Sequence, residues 1–188
     1  MLALLGGPAR AQTRIGTVDM RKLFYDYYRT IEAQKALDAH AADLEKEHTK
    51  MAEDWKKLKQ DYQNTLASAN DQAISADERD NRKKLAEDKL KQLKKAEDNL
   101  ADYERQANTT YTEQKNRIHD KVIDEIRAVL EAKARAGGYT LVLDVAALGS
   151  TGIPIVIYHN DKDNDLTQAI LDELNAAAPR EAPKTPQK

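Results

Sequence analysis

Between Thr17 and Ala136 apolar residues recur at helical spacing among charged ones, and neither Gly nor Pro interrupts them. Leu37, Leu44, Met51 and Leu58 repeat every seven residues, and Ala41, His48, Trp55 and Tyr62 form a companion row four residues on. That is the a/d seam of a helix that packs along another helix. The pattern stops at Ser68-Ala69-Asn70-Asp71, and Ser75-Ala76-Asp77-Glu78 then has the form of a capping box that starts a second helix. The second seam runs through Leu93, Ala96, Leu100, Tyr103, Ala107 and Thr110, then drifts to Ile118, Val122, Ile126 and Val129, as a stutter produces. Pairs such as Glu53 with Lys57 and Glu113 with Arg117 support the exposed face. Gly137-Gly138 supplies a left-handed stop. Two helices of roughly 50 to 60 residues joined by a turn near 68–76 run antiparallel, an arm about 80 Å long.

The flanks change period. Arg14 to Val18 reads as a strand, with Asp19 placed to cap the first helix. After the glycines, Tyr139 to Asp144 and Ile155 to Tyr158 read as two more strands around the turn-rich Gly149-Ser150-Thr151-Gly152. Asp165 to Gln168 caps a last short helix with Ile170, Leu171 and Leu174 on one side. The expected order is therefore a leader over 1–11, a first strand over 12–19, the hairpin arm over 20–136, the rest of a β-rich body over 137–178 and a Pro-rich disordered tail over 179–188. The fold class is α+β. Three short strands bury too little to stand alone, so the sheet is expected to close between copies of the chain. The apolar strand residues Ile15, Val18, Leu141, Leu143, Ile155 and Ile157 are the candidate oligomer contacts.

Composition narrows the function. Charged residues are 33% and aromatic residues 5% of the chain, which favours solvated helices over one thick core. With 30 Lys and Arg against 32 Asp and Glu, the net charge of -2 offers no single-sign field for nucleic acid. Cysteine is absent, so disulfides and thiol chemistry are excluded. The apolar start, the Gly6-Gly7-Pro8 break and Ala9-Arg10-Ala11 fit a truncated signal peptide cleaved after Ala11; the competing reading is a tag-like leader.

Site chemistry is sparse. His40, His48, His119 and His159 show no metal-ligand spacing, and there is no Gly-rich phosphate loop, so neither a metal nor a nucleotide cofactor is expected. His48 lies on the seam, where packing explains it. Trp55, Tyr62, Tyr103 and Tyr111 are read as seam packing first and as a client-contacting face second. Tyr25, Tyr27 and Tyr28 cluster with Leu23, Phe24 and Ile31 at the root of the arm, as anchors for it.

Four pieces then carry a family likeness: Ile15-Gly16-Thr17-Val18-Asp19-Met20 with Leu23-Phe24; the unbroken charged hairpin; Gly138-Tyr139-Thr140-Leu141-Val142-Leu143-Asp144; and Val156-Ile157-Tyr158 followed by Asp165-Leu166-Thr167. In this order the chain resembles the Skp (OmpH-like) family of periplasmic chaperones. The resemblance implies a homotrimer whose strands form a barrel and whose arms enclose a cavity for unfolded outer-membrane proteins, held without ATP. Family members are often strongly basic on the arms, whereas residues 50–89 hold nine Lys or Arg against nine Asp or Glu. No lipopolysaccharide or anionic-membrane site is therefore carried over. The expected function is an ATP-independent holdase, not an enzyme; the alternative is a structural or adaptor coiled coil of the cell envelope.

Overall fold

The computed structural model describes residues 13–160 and 163–179. The expected leader over 1–11 and the tail beyond Pro179 lie outside the described residues. In chain order the elements are β1 (Ile15–Val18), α1 (Met20–Asp26), α2 (Tyr28–Ala69), α3 (Ala76–Ala136), β2 (Leu141–Asp144) and α4 (Thr167–Asn175). The protein is mostly helical, with two long helices and a small two-stranded sheet. It divides into two units: one gathers the described residues up to Gln34 and those from Ile118 on, and the other is Lys35–Arg117.

The first unit holds the core. Val18, Leu23, Tyr27, Val122, Ile126, Leu166, Ile170, Leu171 and Leu174 form one buried cluster. Most of these side chains come from helices, so the body is helix-rich with a small sheet and not β-rich, a correction to the expectation from strand count. β1 and β2 are parallel, with Ile15 opposite Leu141 and Val18 opposite Asp144. Parallel neighbours need a long crossover, and here α1, α2 and α3 supply it. Beyond β1 the loop Asn164–Leu166 closes its free side: Thr17 N donates to the Asn164 carbonyl and Leu166 N to the Thr17 carbonyl, both at 2.9 Å.

The expected third strand is absent. Around Ile155 to Tyr158 the pairing is confined to a single bridge, Leu148 with Pro154, and to the bond from Ile155 N to the Ala147 carbonyl, 2.9 Å. β-Branched residues favour a strand only where a neighbour offers a ladder, and within one chain no strand lies beside them.

The helix boundaries follow local chemistry. Asp19 Oδ1 accepts from Lys22 N at 2.7 Å and caps α1. Ser75 Oγ accepts from Glu78 N at 3.3 Å, so half of the capping box forms, while the Glu78 carboxylate accepts from Arg82 Nε at 2.9 Å. α3 ends in a Schellman turn: Tyr139 N reaches the Ala134 carbonyl at 2.9 Å, Gly138 N the Arg135 carbonyl at 3.2 Å, and Gly138 takes φ 68°. The Tyr139 ring folds back over Gly137, where a Cβ would come within 2.6 Å of it. Arg14 stacks on that ring at 4.2 Å from its centre and donates to the Gly137 carbonyl at 2.7 Å. The start of β1 is thereby fastened to the end of α3.

The reading of one helix from residue 20 onward is corrected at Tyr27, which is extended at φ -72° and ψ 125° and separates α1 from α2. No Gly or Pro causes this break. The Tyr27 ring is buried in the core instead, so tertiary packing overrides helix propensity.

The second unit is the hairpin. Tyr103 Oη donates to the Leu44 carbonyl at 3.1 Å, His48 Nε2 meets Glu104 Oε1 at 2.8 Å, and Lys89 pairs with Asp61. From Leu44 and His48 to Asp61 on α2 the partners step back from Tyr103 and Glu104 to Lys89 on α3, which makes the two antiparallel.

Candidate functional site

Alternation along the two strands sorts their side chains. Val18 and Val142 face the core, and Val18 is 2% exposed. Val18 was expected among the oligomer contacts; its side chain is already committed to the chain's own core. Ile15, Leu141 and Leu143 stand on the opposite side and stay open, with Leu141 at 48%. The segment after β2 is more open still. Leu148, Ile153 and Ile155 are exposed, Ile157 reaches 88% and Tyr158 80%. Among the described residues no strand or bridge occupies the far edge of β2. The first unit thus combines an open parallel edge with a run of exposed aliphatic side chains, which soluble monomers seldom leave uncovered.

At the root of the arm, still within the first unit, Glu125 gathers two partners. Tyr27 Oη donates to Glu125 Oε2 at 2.9 Å and Arg29 Nη1 to Glu125 Oε1 at 2.6 Å. Burial first, and then the hydrogen bond to Glu125, pushes the Tyr27 phenol up to about 12. The proton is then held more tightly in the folded chain than in the unfolded one, where a phenol titrates near ~10. The contribution of this contact to stability is intact below about pH 10 and is lost as pH rises towards about 12. An ultraviolet tyrosinate titration should accordingly show one of the eight tyrosines ionising last, and Tyr27→Phe should remove that step. A last step that persists in Tyr27→Phe contradicts the assignment.

In the second unit Leu37 is buried and Leu44, Met51, Leu58, Leu93 and Leu100 are half-buried. Ile118, expected to continue this seam, is also half-buried and packs against the core of the first unit. The seam passes through Tyr111 instead of Thr110, which is exposed: the four-residue steps from Tyr103 to Ala107 to Tyr111 place the stutter there. Small Ala41 and Ala107 at this point leave a groove of about 370 Å³, also lined by Leu44, His48, Tyr103 and Tyr111. His40 Nδ1 and Trp55 Nε1 are buried without a hydrogen-bond partner. Most ion pairs of the hairpin are exposed contacts within one helix, such as Lys57 with Asp54 and Lys91 with Asp88, and contribute little.

The register of the hairpin shows a charge pattern that the total conceals. Residues 56–69 and 82–95, which lie across from one another, hold ten Lys or Arg against three Asp or Glu. Residues 38–54 and 97–104, the neighbouring stretch, hold ten Asp or Glu against two Lys. A count over 50–89 takes in only part of each band and adds Asp71, Asp77, Glu78 and Asp80 around the turn, and so returns a balance. The signal was present in the sequence, and it becomes visible once the two helices are folded onto each other.

Among the described residues no group of three or more His, Asp and Glu could hold a metal ion, and no helix is long and apolar enough to cross a membrane. The sequence model of one protein family, described as Outer membrane protein (OmpH-like), matches residues 14–174. No curated protein matches the chain.

Proposed function

The chain belongs to the OmpH-like family, and from that premise we propose that it is an ATP-independent holding chaperone for unfolded outer-membrane proteins in the periplasm. The family is one of chaperones and not of enzymes. On this reading three copies join their sheets into a barrel, and their hairpin arms surround a common cavity.

The observation that carries the reading is the uncovered side of the first unit. Ile15, Leu141 and Leu143 are exposed on a two-stranded sheet with an open edge, Ile155 and Ile157 are exposed in the segment that follows it, and such a sheet is marginal by itself. A second copy that adds its own strand beside β2 would cover the edge and these side chains together. Ile155 to Tyr158, which lacks a strand partner within one chain, would find one in the neighbouring copy.

The arms supply the rest. Their half-buried seam and alternating charge bands offer many weak contacts to an extended polypeptide. Each is cheap to break, but arms tethered to one body add them up. Client exchange then needs no nucleotide, and release follows from the client's own folding.

Dilution of a urea-denatured outer-membrane barrel into buffer tests this. At one oligomer per client the protein should keep the client from scattering light; an envelope adaptor or spacer would not. Unchanged aggregation at several-fold excess would overturn the holding role.

A further inference from the structure

The break at Tyr27 takes helical partners from several backbone groups, Tyr28 N and the Asp26 carbonyl among them. In a continuous helix Tyr28 N would donate to the Phe24 carbonyl, and the Asp26 carbonyl would accept from Thr30 N. Thr30 N turns instead to the Tyr27 carbonyl at 3.0 Å. A single side chain meets both needs: Asn175 Oδ1 accepts from Tyr28 N at 2.9 Å, and Asn175 Nδ2 donates to the Asp26 carbonyl at 3.1 Å. One orientation of the amide satisfies both bonds, so the donor and acceptor assignments support each other.

Asn175 is the last residue of α4, whose Ile170, Leu171 and Leu174 are buried in the core. The same helix holds the end of α3, where Lys133 Nζ donates to the Ala169 carbonyl at 2.9 Å and to Glu173 Oε2 at 2.7 Å. The sequence around Tyr27 contains neither Gly nor Pro, and its aromatic, Asp and Thr residues are only weaker helix formers, so local sequence does not by itself place a break at Tyr27. The bend exists because groups distant in sequence hold it.

We propose that Asn175 is the latch of the bend at Tyr27, a positioning residue that fixes it by supplying partners to two backbone groups that the break leaves without their own. This inference stands independently of the holding role.

Amide hydrogen exchange on the full chain tests it. In Asn175→Ala the Tyr28 amide should exchange at least about tenfold faster, while the amides of Ile126 and Val122 in α3 stay within about threefold of the parent. Asn175→Asp keeps an acceptor for Tyr28 N but sets a carboxylate oxygen against the Asp26 carbonyl, so Tyr28 should exchange faster than in the parent and more slowly than in Asn175→Ala. Unchanged Tyr28 exchange in Asn175→Ala would show that packing alone holds the bend and would overturn the latch. So would equal acceleration of Tyr28 and the α3 amides, or Tyr28 exchange in Asn175→Asp faster than in Asn175→Ala.

Discussion

On the proposed closure of the sheet between copies, Leu143→Lys should leave only single chains at micromolar concentration and no protection of an unfolded client, as read by sedimentation velocity and the aggregation assay. Leu143 stands on the open face of β2 beside Leu141, and across the strand pair from Thr17. Leu143 is 37% exposed, so covering the rest of it is worth about 0.5 to 1 kcal/mol per copy, and the larger effect comes from an ammonium group that has to be desolvated there without a partner. A closed assembly repeats that loss at every junction. Leu85→Lys serves as the control: Leu85 is 51% exposed in the hairpin unit, and its substitution should leave the mass unchanged. Equal loss of assembly in both variants would point to added charge rather than to the sheet.

The second large effect lies in the core. Ile126 is fully buried at the centre of the cluster that joins Leu23, Tyr27 and α4. Ile126→Ala should lower the unfolding free energy by about 2 to 5 kcal/mol, from the lost apolar burial and the cavity left behind. Such a change is a large share of the roughly 5 to 15 kcal/mol that holds a typical domain together. Ile126→Val, which removes a single methylene, should cost about 0.5 to 1.5 kcal/mol. Urea titration followed by circular dichroism distinguishes the two, and similar midpoints for both would show that the site relaxes to fill the space.

What could be read from the sequence was mostly what local chemistry decides. Asp19 caps α1, Gly138 adopts the left-handed conformation that ends α3, and Ser75 marks the start of the second helix, because each depends on a few neighbouring backbone groups. The seven-residue rows of α2 and α3 were visible for the same reason: periodicity survives without knowledge of the partner.

The misses share a different cause. The bend at Tyr27 depends on Asn175 and on a core built from residues about a hundred positions away, and nothing near Tyr27 announces it. Ile155 to Tyr158 has strand composition, but a strand is a property of pairs and the single chain offers it no ladder. Val18 looked like an outward contact because alternation gives two faces without saying which one meets the core. Thr110 yielded its seam place to Tyr111 because a stutter shifts the register by less than a simple count can locate.

The central claim is that the open sheet is completed by other copies of the chain. Multi-angle light scattering across a dilution series measures this directly. The account predicts a mass of three chains that holds into the low micromolar range and rises by one client when a denatured barrel protein is added. A compact, cooperatively folding single chain over the whole series would contradict it.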